Sequence, residues 1–181
     1  MYKKYLPIGF CSIFCYFQRE KRENIVLKDD ISSKTILSVS KKVSHHWDTC
    51  IDVYKNEKKW LHQLNKSNII ANPVHFDDKQ RIITTEYSGE PITKQNIPNN
   101  WKEQRDHILS VLKNHNCRHN DIKPSEILVF NNKIKLVDFG WASDLDKPKP
   151  KTFPECLGAE FKCETDLCSF NKSIDYILQK R

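Results

Sequence analysis

The sequence predicts an α+β fold, and three observations carry that expectation. Short β-rich segments bounded by turn residues crowd the first half, at residues 25–27, 35–43, 69–76 and 81–87. Apolar residues recur at helical spacing over residues 51–65, over 101–113 and again from Asp166 onward. Between the second and third of these helices lie two more strands, residues 127–130 and 133–137. They are joined by Asn131-Asn132, a pair that tolerates the positive φ of a two-residue hairpin turn.

The length of 181 residues suits one domain, residues 1–181. A hydrophobic content of 38% is enough for a core, although the charged fraction of 29% is high. The net charge of +7 favours anionic partners. Lysine is spread along the chain and not gathered into one arm, so the charge reads mainly as a solvated surface, with no nucleic-acid motif behind it. Seven cysteines include no Cys-x-x-Cys pair, which speaks against a disulfide framework or a standard zinc site and for a reducing, cytoplasmic setting. Cys156, Cys163 and Cys168 crowd one segment, but at a spacing that matches no common metal pattern.

Taken in order, the apolar residues 5–17 follow Lys3-Lys4 in the manner of a signal peptide. They are interrupted by Pro7, are followed at once by Gln18-Arg-Glu-Lys-Arg and lack a small-residue cleavage site. They are too few to span a bilayer as a helix, and the expectation is a first strand at residues 10–17. In residues 35–43, Ile36, Ser38 and Ser40 alternate with Leu37, Val39 and Lys41. In residues 51–65, Tyr54, Glu57, Leu61 and Leu64 share one stripe, which turns Glu57 toward the core. A carboxylate there is expensive unless paired, and a lysine of the strand upstream is the obvious partner. The alternative is a surface glutamate on a narrower stripe.

Residues 69–76 and 81–87 flank the turn Asp77-Asp78-Lys79-Gln80, and Ser88-Gly89 then reads as a flexible exit into a linker at residues 91–98. The helix over residues 101–113 presents Ile108, Leu109 and Leu112 and closes at Asn114-His115-Asn116. In the hairpin that follows, a turn centred between Asn131 and Asn132 sets Glu126 opposite Val137 and Ser125 opposite Asp138. That register brings the carboxylates of Glu126 and Asp138 close, an unfavourable pairing unless a cation lies between them or one takes up a proton. A hard, oxygen-liganded ion such as Mg²⁺ would supply the charge. Gly140 is expected to turn the chain sharply before Trp141. Residues 143–165 are polar and proline-interrupted, hence loop-like, and the final helix carries Phe170, Ile174, Ile177 and Leu178.

His119-x-Asp121-x-Lys123-Pro124, two strands and then Asp138-Phe139-Gly140 resemble the catalytic loop and metal-binding segment of the protein-kinase-like superfamily. The resemblance implies a two-lobed fold, with a small antiparallel lobe in residues 1–88 and a helical lobe in residues 89–181 truncated after one or two helices. It also implies an ATP-dependent phosphotransferase that moves the γ-phosphoryl group to a hydroxyl of a protein or small molecule, with Mg²⁺ or Mn²⁺. By the same resemblance Asp121 is the catalytic base, Lys123 reaches the transferring phosphoryl group, and Asp138 with Glu126 holds the metal. Lys41, or Lys42 one position on, would grip the α and β phosphates and pair with Glu57. Adenine would bond to backbone groups near Glu86, Tyr87 and Ser88, with Thr85 behind it. His119 reads as a packed scaffold residue, and Asp166 either as the aspartate that bonds back to the catalytic loop or as a helix cap.

Three departures from the family pattern stand out. Glu126 replaces the usual asparagine. Asn120 replaces the arginine of many members, which removes the cation that reads a phosphorylated activation loop. No glycine-rich loop is possible, since the four glycines are Gly9, Gly89, Gly140 and Gly158, and Arg19, Lys21 and Arg22 would have to substitute for its phosphate contacts. The absent glycine-rich loop, Glu126 and the truncated second lobe favour the alternative function, a catalytically impaired pseudokinase serving as a nucleotide- or partner-binding module.

Overall fold

The computed structural model describes residues 23–26, 37–43, 51–149, 159–161 and 163–179. The strand expected at residues 10–17, the basic trio Arg19, Lys21 and Arg22, and Cys156 lie outside them. The first lobe is an antiparallel sheet of β1 (Glu23–Val26), β2 (Leu37–Lys42), β3 (Pro73–Asp77) and β4 (Ile82–Glu86), in the order β1-β2-β4-β3. Glu23 and Asn24 belong to β1, so this strand begins two residues before the expected residues 25–27. In the β2–β4 register Lys41 stands opposite Ile83 and Ser38 opposite Glu86.

Helix α1 (Val53–Gln63) leaves β2 and returns to β3. Its first turn is capped by Asp52, which accepts from the backbone N–H of Lys55 at 3.3 Å. The Arg81 guanidinium bonds both Asp52 oxygens, at 2.8 and 3.3 Å, and so ties the cap to the start of β4. Tyr54, Glu57, Leu61 and Leu64 are all buried, as their shared stripe predicts, and Trp60 completes that face.

The second lobe contains β5 (Glu90–Pro91), α2 (Trp101–Asn114), β6 (Cys117–Arg118), β7 (Ile127–Phe130), β8 (Lys133–Leu136), β9 (Ser143–Asp144) and α3 (Asp166–Gln179). Strands β5, β7 and β8 form one sheet, and β6 pairs with β9. The hairpin turn has φ of 49° at Asn131 and 61° at Asn132, the positive values its asparagines suit. The Val137 N–H donates to the Glu126 carbonyl at 3.1 Å, which continues the expected register one pair beyond β7 and β8. One apolar core joins the lobes: Leu64, Ile69 and Ile70 meet Leu136 through an Ile70–Leu136 bridge, and Ile108, Leu112, Ile122, Phe170 and Ile174 extend it downward.

Four local expectations change. Gly89 is not a flexible exit: at φ +100° it brings the chain so close to β7 that a Cβ would lie 2.0 Å from the Val129 carbonyl oxygen. The first residue of the expected linker, Pro91, pairs with Leu128 instead. The sharp turn before Trp141 is made by Asp138, at φ 68°, and not by Gly140. Gly140 serves close packing, because a Cβ there would lie 2.3 Å from Val53 Cγ1. Finally, Cys163 and Cys168 form a disulfide at the start of α3, a pairing their spacing did not suggest.

Candidate active site

The cleft between the lobes gathers residues that are far apart in sequence. From β2, Lys41 Nζ lies 2.7 Å from Glu57 Oε1 on α1 and 3.2 Å from Asp138 Oδ1 beyond β8. Lys42, the neighbouring candidate, is exposed. Glu57 is 2% exposed, and its Oε2 has no hydrogen-bond partner among the described residues, so Lys41 carries nearly all of its compensation. Burial therefore pushes the Glu57 carboxyl up to about 7, with the Lys41 charge opposing. Lys41 is itself desolvated, yet Asp138 and Glu57 more than offset that and hold its ammonium well above the ordinary lysine value.

The loop from His119 to Glu126 places a second set. Lys123 Nζ bonds Asp121 Oδ2 and lies 3.7 Å from Glu126 Oε1, which also accepts from Ser125 Oγ at 2.7 Å. Burial pushes Asp121 up to about 7, against the pull of Lys123. Asp138 behaves in the opposite way. Although desolvation acts to raise it, the charges of Lys41 and Lys123 hold its carboxyl well below the usual range, so it stays ionised. Two lysines thus separate the four carboxylates, and among the described residues no three His, Cys, Asp or Glu side chains form a ready-made metal cluster.

The scaffold beneath the loop is explicit. His119 is fully buried and stacks edge-on against Phe139, with ring centroids 4.6 Å apart. Its Nδ1 accepts from the Asp121 N–H at 3.3 Å, which leaves the proton on Nε2 to donate to the Val137 carbonyl at 3.1 Å. Desolvation keeps the ring neutral, its pKa below the ordinary histidine value. Asp166 accepts from the N–H groups of His119 at 2.7 Å and Asn120 at 3.0 Å, so it bonds back to the loop and does more than cap a helix.

The expected adenine-binding stretch sits where β4 leaves the sheet. Thr85 faces Val39 across β2, the Glu86 N–H is taken by the Asn72 carbonyl at 2.8 Å, and the Glu86 carboxylate receives Asn72 Nδ2 at 3.0 Å. Tyr87 Oη donates to Glu90 at 2.7 Å, and Ser88 is buried with its hydroxyl on the Glu86 carbonyl. Asn56 and Trp60 were not singled out by pattern. Asn56 Nδ2 donates to the carbonyls of Gly140 at 2.9 Å and Ala142 at 2.7 Å, and Trp60 Nε1 donates to Ala142 at 3.2 Å. A poor helix former in mid-helix, directly beside Glu57, was the one available sign.

A lysine bridging two carboxylates, an aspartate–lysine pair on a buried loop and a neutral, packed histidine beneath them bring opposite charges together at one place, an arrangement able to offset anionic charge. The family model described as the protein kinase domain matches residues 25–161. An Aurora kinase of Saccharomyces cerevisiae (strain ATCC 204508 / S288c) is 34% identical over 101 residues, which cover 49% of this chain and 28% of that protein. The chain therefore matches under a third of the length of that relative. With its match running from β1 to the segment before α3, this chain belongs to the protein kinase domain family.

Proposed function

We propose that the chain is an ATP-dependent phosphotransferase that passes the γ-phosphoryl group to a hydroxyl of a protein or small molecule. The observation that carries this reading is the convergence of Lys41, Glu57 and Asp138 within 3.2 Å links, beside the Asp121–Lys123 pair. Lys41, positioned by Glu57, would offset charge on the α and β phosphates. Asp121 would accept the proton of the acceptor hydroxyl and orient its oxygen, and Lys123 would offset charge on the transferring group. Positioning and charge neutralisation supply most of the rate in such chemistry. The backbone of Tyr87 and Ser88, with Thr85 behind, would receive adenine.

The donor set fits a divalent ion. Asp138 is held ionised and its side chain remains 36% exposed, while Glu126 offers a second hard oxygen donor. Mg²⁺ is ordinarily held by one or two carboxylates together with substrate phosphates and water, so two protein ligands suffice. The ion would neutralise phosphate charge when bound.

The test is ADP formation from ATP and Mg²⁺, measured for the unaltered chain and for Asp121→Asn with protein and sugar acceptors. Turnover that falls by about 100-fold or more in Asp121→Asn supports the reading, a loss in the range general-base removal produces. Absence of turnover with every acceptor class overturns it in favour of a nucleotide- or partner-binding pseudokinase, the reading that Glu126 in place of asparagine favours. Glu126→Asn adds a sharper comparison, since metal-dependent turnover persists or rises if position 126 is a ligand.

A further inference from the structure

Five side-chain hydrogen bonds converge on the four residues that follow Phe139. Asn56 spends both hydrogens of its amide on the Gly140 and Ala142 carbonyls, at 2.9 and 2.7 Å, and Trp60 adds a third bond from the same helix to Ala142 at 3.2 Å. From the opposite side, Asn120 spends both of its amide hydrogens on the Trp141 carbonyl and Ser143 Oγ, each at 2.9 Å. The Asn120 Oδ1 atom is buried and has no hydrogen-bond partner among the described residues. That side chain is therefore placed for what its NH₂ group donates, at the cost of an unmet acceptor. Its backbone is held at φ 67° and its N–H is anchored on Asp166.

We propose that Asn56 and Asn120 are positioning residues that clamp residues 140–143 from two sides and so hold Asp138 against Lys41. The inference rests on the functional reading above for its consequence, though not for its geometry. Asn56 is the chain neighbour of Glu57, so the same helical turn that presents Glu57 to Lys41 also grips the carbonyls just beyond Asp138. Withdrawal of α1 would break the Lys41–Glu57 pair and release the segment together. On the other face, the neutral amide of Asn120 bonds the segment directly, at the Trp141 carbonyl and Ser143 Oγ. The disulfide between Cys163 and Cys168 closes the short loop that contains Asp166, the anchor of the Asn120 N–H.

The experiment is amide hydrogen exchange on the full chain, with Asn56→Asp and Asn120→Asp as near-isosteric variants that keep volume and remove the donors, and Asn56→Ala and Asn120→Ala as variants without added charge. The clamp predicts exchange roughly 5- to 30-fold faster at the Ala142 and Asp144 amides in each variant, the factor that loss of one or two net hydrogen bonds produces. Amides in the middle of α2 stay unchanged. Unaltered exchange at residues 139–144 overturns the proposal, as does faster exchange spread evenly over the chain, which marks a general loss of stability. Because this readout needs no turnover, it decides the clamp even if the unaltered chain transfers no phosphate.

Discussion

Replacing Gly140 by alanine tests whether α1 and the segment after Asp138 are packed as one unit. The new Cβ would lie 2.3 Å from Val53 Cγ1 and 3.4 Å from Asp138 Oδ1. Val53 is buried in the first turn of α1, and its β-branched side chain has few rotamers with which to withdraw. Relief requires a shift of about an ångström in the helix or the segment, and over-packing of this kind costs roughly 1–3 kcal/mol. Gly140 does not occupy the left-handed region, so alanine also narrows the unfolded ensemble, which returns about 0.4–1 kcal/mol. The net expectation for Gly140→Ala is a loss of about 0–2.6 kcal/mol. Val53→Ala removes the clashing methyl groups and costs about 1.6 kcal/mol in transfer free energy on its own. In the Val53→Ala background the clash is gone, and Gly140→Ala becomes neutral or stabilising by up to about 1 kcal/mol. Urea denaturation of all four proteins, with unchanged m-values, measures this coupling directly. Additivity within about 0.5 kcal/mol would refute the reasoning, because Val53 would then not be what the new methyl meets.

Asp166→Ala removes the acceptor for two backbone N–H groups, and a loss of about 3 kcal/mol in urea denaturation is expected, with Asp166→Asn intermediate. The free chain should lose stability as pH rises. Glu57 and Asp121 both sit at about 7 in the folded state, above their unfolded values, so they bind protons more tightly when folded; their stabilisation is complete below about pH 4 and is lost as pH climbs through 7. Differential scanning calorimetry with Glu57→Gln, which should flatten that slope, checks the assignment. For turnover the sign reverses, since a base must be ionised: kcat/KM should rise with pH through about 7. Lys123→Ala should move that limb to higher pH as well as lowering the rate, because Lys123 pulls Asp121 down.

The second lobe was the more legible. The two asparagines at the hairpin turn point to the strand register, and the Val137 N–H to Glu126 carbonyl bond continues that register. The helical stripe from Tyr54 to Leu64 located a buried glutamate, and the cost of burying a charge pointed to Lys41. Other features had no local sign. Gly89 and Gly140 look like hinge residues in sequence, but their roles depend on Val129 and Val53, which approach only in the folded chain. Side-chain bonds to carbonyls, such as those of Asn56 and Asn120, leave no periodic trace, since a carbonyl belongs to every residue. The position of Asp138 in the left-handed region was equally hidden, because aspartate tolerates that conformation without requiring it.

In the proposed function, Lys41, Glu57 and Asp138 form a seat for metal-bound nucleotide. Isothermal titration of ATP into the unaltered chain, with and without Mg²⁺, measures it most directly when repeated on Lys41→Met and Asp138→Asn. Mg²⁺-dependent binding is expected, weakened by about tenfold or more in each variant, equivalent to roughly 1.4 kcal/mol. Equal affinity in all three proteins, or no heat of binding in the unaltered chain at any Mg²⁺ concentration, would contradict it.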